Sequence, residues 1–425
     1  MITAVSTERR VVIRAFTAAG KYSGGRLCAW ILAEGFAAQG YDVVFWGDGV
    51  PSFVKDFAGY PGHARIRWHT SADLLPWSQC ELFVIVPHLG RPQALFGEAL
   101  IAAAQMRARV VLLNFESPNW FNALAPASRD PAGWEPWQRV ARVADAIVSI
   151  SYEGTRYARE FYTEIPQSCR FLTIHPAINS QVADRVEAVG ENQVICLARF
   201  SAGNQHKGGE DVLAIIGPAL QGHTLVLIVG EGGVPAGLLN RLQAGCVQYG
   251  VSLRLVESIS DEQKFREIRK SKVLVFPSYF EGYGYPPVEA LYCGVPCVAY
   301  DLPVLREVCG DRLNVVPIGD RTALAREVAR LLAGPAPSAQ VLKAAVAPRI
   351  EFQAFVRLLG EEFAPTLEAP PCLAGRATWG ARLGLQTERF LDRCPPAIAR
   401  RVTRLARSFR SQAKMPQKVS DAHGE

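Results

Sequence analysis

The densest chemistry in this 425-residue chain lies in the run PSYFEGYGYPPVEALYCGVPC, where Glu281 and Glu289 stand with seven residues between them. An apolar strand-like run ends at Pro277, a loop turns at Gly282 and Gly284, and Pro286 and Pro287 suit the first turn of a helix, where a missing N–H costs little. Such a loop and helix N-terminus form an anion site. Glu281 and Glu289, one on either side, accept hydrogen bonds from hydroxyl groups. Donors for phosphates beside carboxylates for ribose and hexose hydroxyls are what a sugar diphosphate requires. A second glycine-rich turn, Gly20-Lys21-Tyr22-Ser23-Gly24-Gly25, follows the first apolar run and opens the first helix, so that a ligand can approach backbone amides there. It lacks the GK[ST] ending of a phosphate-binding P-loop and the spacing of a dinucleotide fingerprint. Gly230-Glu231-Gly232-Gly233 also fails that fingerprint, because Pro235 stands at its third glycine position.

These residues need a scaffold that brings strand ends together. Strand-like apolar runs at 11–16, 43–46, 64–68, 82–87, 110–115, 146–151 and 171–175 alternate with helical segments such as 25–39, 95–106 and 152–162. That rhythm predicts a mostly parallel sheet with helices on both faces. It restarts with strands at 194–198, 224–230, 251–257, 273–277, 295–300 and 314–317. The charge-free stretch 212–230 reads as a helix, a turn and a strand rather than a membrane span, since Gly217, Pro218, Gln221, Gly222 and His223 interrupt it. The expected organisation is a first α/β domain over 1–178, a second over 179–348, a closing helix over 349–366 and a basic tail over 367–425.

The E-x7-E spacing inside PSYFEGYGYPPVEALYCGVPCVAYDLPVLREV resembles the signature of glycosyltransferase family 4 and related retaining enzymes. The resemblance implies the GT-B fold, two Rossmann-like doubly wound domains facing each other across a cleft. Other pieces fall in matching order: Arg199 in CLARF and Lys207 in QHKGGEDVL resemble the basic pair that holds a donor diphosphate, and Ser23, Gly24 and Gly25 resemble the Gly loop of the first domain. The segment VESISDEQKFREIRKSKVLVFPS resembles the one passing the nucleotide base. By resemblance, Glu289 holds the donor ribose, Glu281 the transferred sugar, and the amides of Tyr283, Gly284 and Tyr285 the sugar and phosphate. Arg199, Lys207 and Glu281 would carry catalysis, because a departing diphosphate gains negative charge in the transition state.

The implied activity is retaining transfer of a hexose from a nucleotide-diphosphate sugar to a glycan or lipid-linked acceptor in cell-envelope polysaccharide synthesis. No D-x-D pair occurs, so a metal-independent reaction without a cofactor is expected. The chain departs from the family where relatives carry a histidine near the acceptor, since Phe115 stands there in VVLLNFESPNW. Asn114 or Glu116 takes over substrate contact, or His88 does from the preceding strand end, and Trp120 is a candidate for stacking on a sugar face. Two other activities share these features: a nucleotide-sugar 2-epimerase or hydrolase, and a non-catalytic sugar-nucleotide binder.

Composition narrows the partners. The net charge of +6 comes from the end of the chain, where residues from Ala369 onward hold 11 Lys/Arg against 4 Asp/Glu and the remainder 35 against 36. A neutral body argues against nucleic acid, whereas a basic tail points to an anionic surface. In that tail Ile398, Val402, Leu405 and Phe409 recur at helical spacing among Arg400, Arg401, Arg404, Arg407, Arg410 and Lys414, the pattern of a helix lying on an anionic membrane. Ten cysteines without a CxxC pair read as free thiols of a reducing compartment. With no signal peptide visible, the expected location is cytoplasmic, peripheral on the inner face of the membrane.

Overall fold

The computed structural model describes residues 9–16, 24–70, 80–91, 93–201, 203–230, 232–257 and 259–373. The basic tail segment 398–414 lies outside the described residues. Within them, two parallel sheets form the two domains.

The first sheet takes strands β1 (Arg10–Ala15), β2 (Asp42–Trp46), β3 (Ile66–His69), β4 (Leu82–Val86), β5 (Arg109–Asn114), β6 (Ala146–Ser149) and β7 (Arg170–Thr173) in the order 3-2-1-4-5-6-7. The second takes β8 (Gln193–Ala198), β9 (Thr224–Val229), β10 (Ser252–Glu257), β11 (Val273–Phe276), β12 (Cys297–Tyr300) and β13 (Asn314–Val316) in the order 10-9-8-11-12-13. All thirteen runs expected as strands form strands. They are legible because sheets covered on both faces need continuous apolar residues, and β1, β4, β11 and β12 are buried along their whole length.

The strand order reverses between β1 and β4 in the first sheet and between β8 and β11 in the second. At such a switch point the two neighbouring connections leave on opposite faces and open a crevice beyond the carboxyl ends of the strands. The E-x7-E loop follows β11, and Gly24 and Gly25 open the helix that comes after β1, both strands that border these crevices; Ser23 lies outside the described residues.

Helices α1 (Gly24–Ala38), α2 (Gln93–Gln105), α3 (Pro118–Leu124), α4 (Glu135–Ala141) and α5 (Tyr152–Phe161) cover the first sheet. Helices α6 (Ser180–Arg185), α7 (Ala236–Tyr249), α8 (Asp261–Lys270), α9 (Tyr285–Tyr292), α10 (Pro303–Cys309), α11 (Arg321–Ala333) and α12 (Ala339–Ile350) accompany the second. Two expectations are corrected. After β8 there is no α-helix but 3-10 turns at Gly209–Ile215 and Pro218–Leu220, since positive-φ Gly208 starts the segment and Gly217-Pro218 cuts it. The closing helix is interrupted at Glu351, and its second part, α13 (Phe352–Glu368), runs through Pro365. Burial of Phe355, Leu359, Phe363 and Thr366 holds that last turn despite the lost backbone donor.

Helix α13 returns to the first domain. Phe363 meets Phe36 of α1 edge-on at 5.3 Å, and Gln39 donates to the Val356 carbonyl at 2.7 Å. Beyond it, the Ala369 carbonyl accepts from Arg109, and the Cys372 amide donates to Asp145. The chain passes between domains at 176–179 and again at 350–352, where the Ile178 amide bonds the Ile350 carbonyl at 3.1 Å.

Candidate functional site

The turn carrying Lys207 is sewn to the loop carrying Glu281. Gly208 sits at φ +67°, and a Cβ there would lie 1.9 Å from the Pro277 carbonyl oxygen, so only glycine lets the turn settle on the end of β11. The neighbouring His206 carbonyl accepts from the Tyr279 amide at 2.7 Å and from Ser278 Oγ at 3.2 Å. Buried Asp211 anchors the far side, taking the Tyr300 hydroxyl at 2.9 Å and the Arg321 guanidinium. The consequence is a close pair: Lys207 Nζ lies 2.7 Å from Glu281 Oε1, with both side chains only 12–13% exposed.

Arg199, at the end of β8, is exposed and makes no ion pair with a described residue; its aliphatic stem lies on Gly230. Its charge reaches His88, Glu116 and His206, which places it at the mouth between the domains. Helix α9 starts directly after Gly284, with Pro286 and Pro287 in its first turn. The two prolines remove donors, so what this terminus offers an anion is concentrated on the amides of Gly284 and Tyr285. Opposite it stands the start of α1: a Cβ on Gly24 would touch the Tyr285 ring at 3.6 Å, and one on Gly25 the Phe115 ring at 3.5 Å. Two helix N-termini and two cations therefore converge on one crevice.

Glu289 is shielded from solvent. It is 1% exposed, and its Oε1 accepts from Lys264 Nζ at 2.6 Å. Burial pushes its carboxyl up to about 6, against the pull of the Lys264 ammonium. Tyr283 is buried as well, its hydroxyl donating to the Pro176 carbonyl at 3.0 Å across the linker.

Of the acceptor-side candidates, Glu116 and His88 line the crevice and the other two do not. Glu116 pairs with Arg129 at 2.8 Å, and burial raises its carboxyl while Arg129, Lys207 and Arg199 oppose the rise. His88 is exposed; desolvation together with Arg91, Arg26 and Arg199 lowers its imidazole, which keeps it neutral. Asn114 is corrected to a core residue, donating to Ser149 Oγ at 3.1 Å and accepting from the Tyr162 hydroxyl at 3.2 Å. Trp120 is likewise no open sugar platform. It is 1% exposed, stacked on Tyr157 at 5.6 Å and set edge-on against Phe280 at 5.0 Å. Its apolar area binds the two domains instead, joined by Phe121, which meets Phe280 at 4.9 Å and His206 at 5.2 Å. Burial drives the His206 imidazole down to about 2, so this contact is uncharged.

Three residues escaped the sequence reading. Arg129 covers Phe121 at 3.7 Å while holding Glu116. Glu307 of α10 accepts the first two amides of α5, Tyr152 at 2.6 Å and Glu153 at 3.1 Å, and also lies 2.6 Å from His175 Nε2. Lys264 shares the buried face of α8 with Asp261, Phe265 and Ile268. That spacing was the available signal, a cation and a carboxylate on the apolar stripe of a helix. Among the described residues no cluster of His, Cys, Asp or Glu is arranged to hold a metal, and no helix is long and apolar enough to cross a membrane. The nine described cysteines are free.

Comparison with known proteins agrees with this geometry. The model of the family "Glycosyl transferases group 1" matches residues 179–346. The lipopolysaccharide core biosynthesis mannosyltransferase LpcC of Rhizobium leguminosarum bv. viciae is 28% identical over 222 residues, 49% of this chain and 60% of that protein. The O-antigen chain mannosyltransferase B of Escherichia coli is 32% identical over 80 residues, 19% of this chain and 21% of that one. The chain thus spans from about a fifth to three fifths of these curated relatives. Among solved structures, Anabaena HepE in complex with UDP-glucose superposes with a TM-score of 0.62 at 14% identity, covering 83% of this chain and 98% of the other. Sucrose-phosphate synthase of Thermosynechococcus elongatus gives 0.61 at 17% identity over 83% and 98%. The second domain of this chain is thus similar to the group 1 glycosyl transferases, and its two-domain body has the GT-B fold of these solved structures.

Proposed function

We propose that the chain is a retaining hexosyltransferase that moves a sugar, mannose by the names of its curated relatives, from a nucleotide-diphosphate donor to a glycan or lipid-linked acceptor of the cell envelope. The observation that carries this reading is the convergence of Arg199, the Lys207–Glu281 pair and the facing N-termini of α1 and α9 on one interdomain crevice. In it the donor diphosphate lies against Arg199, Lys207 and the Gly284 and Tyr285 amides, the transferred sugar against Glu281, and the ribose toward Glu289. The bond from the anomeric carbon to the phosphate oxygen breaks as the acceptor oxygen bonds that carbon from the same face. The acceptor proton passes to the departing diphosphate, which leaves as a nucleoside diphosphate. Arg199, Lys207 and the amides stabilise its growing charge, and fixed donors in a partly desolvated site are where rate is gained. Side-chain cations fill the role of a diphosphate-bound metal in this proposal, so turnover should persist in excess chelator. The neutral His88 and the Arg129-held Glu116 would line the acceptor, and the basic tail would hold the enzyme at an anionic membrane face.

The test is a thermal-stabilisation screen of UDP-, GDP- and ADP-sugars, followed by NMR of the product formed from the stabilising donor. An inverted anomeric configuration, or stabilisation by none of these nucleotides, defeats the proposal.

A further inference from the structure

Behind the E-x7-E loop the second domain buries two carboxylates and one ammonium. Lys264 Nζ lies 2.8 Å from Asp261 Oδ1 and 2.6 Å from Glu289 Oε1, and all three residues are 6% exposed or less. Removing three charged groups from water is costly unless geometry and hydrogen bonds repay it. The repayment comes from three parts of the chain. Asp261 Oδ2 accepts from the Asn179 side chain at 3.1 Å, and Asn179 accepts from the Tyr60 hydroxyl of the first domain at 2.8 Å. The Asp261 amide meets Asp56, also of the first domain, at 3.3 Å. Lys264 therefore stands on a frame built by α8, the linker and the first domain, and presents its ammonium to one oxygen of Glu289.

With both carboxylates ionised, this cluster carries one more negative charge than positive. A buried carboxylate is an acceptor only, and the excess is best met by neutral hydroxyl donors such as those of a vicinal diol. We propose that Lys264 is the positioning residue of the donor ribose subsite: it occupies one oxygen of Glu289, fixes the rotamer and charge of that carboxylate, and turns it toward the ribose hydroxyls. This rests on the reading of Glu289 given above and adds to it the group that makes Glu289 competent. The groups around Glu289 are few. Lys264 and Asp261 come from α8, the Cys293 thiol from its own helix, Asp56 stands behind Asp261, and Arg269 reaches the Cys293 carbonyl. Among the described residues Lys264 alone touches Glu289 as a cation, so its removal leaves burial unopposed and moves the Glu289 carboxyl further above its ordinary range.

The experiment compares Lys264→Met with the unaltered full chain by calorimetric binding of UDP and GDP and of their 2′,3′-dideoxy forms between pH 6 and 9. The unaltered protein should prefer the ribonucleotide. Lys264→Met should weaken that ribonucleotide about tenfold at pH 7, the scale of one charge-assisted hydrogen bond, and leave the dideoxy form within about twofold. Its affinity for the ribonucleotide should recover at higher pH than in the unaltered protein. Lys264→Arg, which keeps the charge, carries the same comparison if the methionine variant loses its cooperative melt, and should retain the preference at reduced strength. Equal weakening of both nucleotide forms, with an unmoved pH profile, would make Lys264 a structural residue and overturn the proposal while leaving Glu289 on the ribose. No preference in the unaltered protein would remove the ribose reading of Glu289 and this proposal with it.

Discussion

A single methyl group placed between the domains tests whether their apposition builds the reactive site. Gly282 follows Glu281 directly, and a Cβ on it would stand 2.3 Å from the Phe115 carbonyl oxygen of the first domain, where ordinary contact begins near 3.4 Å. Both partners are backbone, so neither can swing aside as a side chain would. The Gly282 carbonyl is also held by Ser151 Oγ at 3.0 Å. Gly282→Ala must therefore move the loop and the first domain apart by about 1 Å, at an overpacking cost of about 1–3 kcal/mol. Glu281 keeps Lys207, which is on its own domain, but loses its register with the acceptor side. Misplacement on that scale lowers turnover by about 10²-fold. The assay is steady-state transfer with the donor found in the stabilisation screen, alongside calorimetric binding of its nucleoside diphosphate and a thermal melt. The expected result is a fall in kcat with nucleotide affinity within about threefold. A folded Gly282→Ala protein with unchanged kcat refutes the reasoning, because the acceptor side would then not depend on this contact.

Arg199→Ala and Lys207→Ala should each lower turnover by about 2–4 kcal/mol of transition-state stabilisation, measured by single-turnover kinetics; unchanged rates in both would remove the diphosphate assignment. Lys207→Ala should also melt earlier, since it leaves the Glu281 carboxylate half-buried and alone. Glu307→Ala removes the acceptor of the first two amides of α5 and the partner of His175, so it should destabilise the protein by about 0.5–2 kcal/mol in chemical denaturation and raise proteolysis of the 176–179 crossing. Equal protease sensitivity would show that Glu307 does not latch the domains. Deleting the residues after Pro371 should leave nucleotide binding intact and abolish co-sedimentation with anionic vesicles, as high salt should in the full chain. Vesicle binding that survives the deletion would place the membrane contact elsewhere.

Strand positions could be read from the chain because parallel sheets covered on both faces demand short apolar runs, here of three to six residues. Positions set by packing between distant segments could not. Trp120 and Asn114 sit beside a loop with site chemistry, yet their side chains turn inward because Tyr157, Phe280, Ser149 and Tyr162 arrive from elsewhere in the chain. The 3-10 turns after β8 were masked by an apolar composition that suits a helix equally well, and Gly208 decided the outcome through a carbonyl nearly seventy residues away. The Lys207–Glu281 pair was foreseeable as chemistry but not as contact, since residues 74 apart meet only once Gly208 lets their turns touch. Lys264 and Glu307 lie inside segments that resemble the family, yet neither occupies a position the resemblance singles out. Their roles are properties of the assembled domains: Lys264 joins α8 to α9, and Glu307 joins α10 to α5 and to His175.

The paired crossings at 176–179 and 350–352 have a bearing on modularity. Because the chain enters and leaves the second domain through neighbouring residues joined by the Ile178–Ile350 hydrogen bond, that domain is an insertion into the first, whose last helix, α13, is added only after the excursion. An insertion with adjacent ends can be exchanged as one contiguous cassette, leaving the host sheet and its closing helix complete. Donor preference could thus be transplanted by replacing residues 179–350 alone, while the acceptor face, assembled from both ends of the chain, would have to be altered residue by residue.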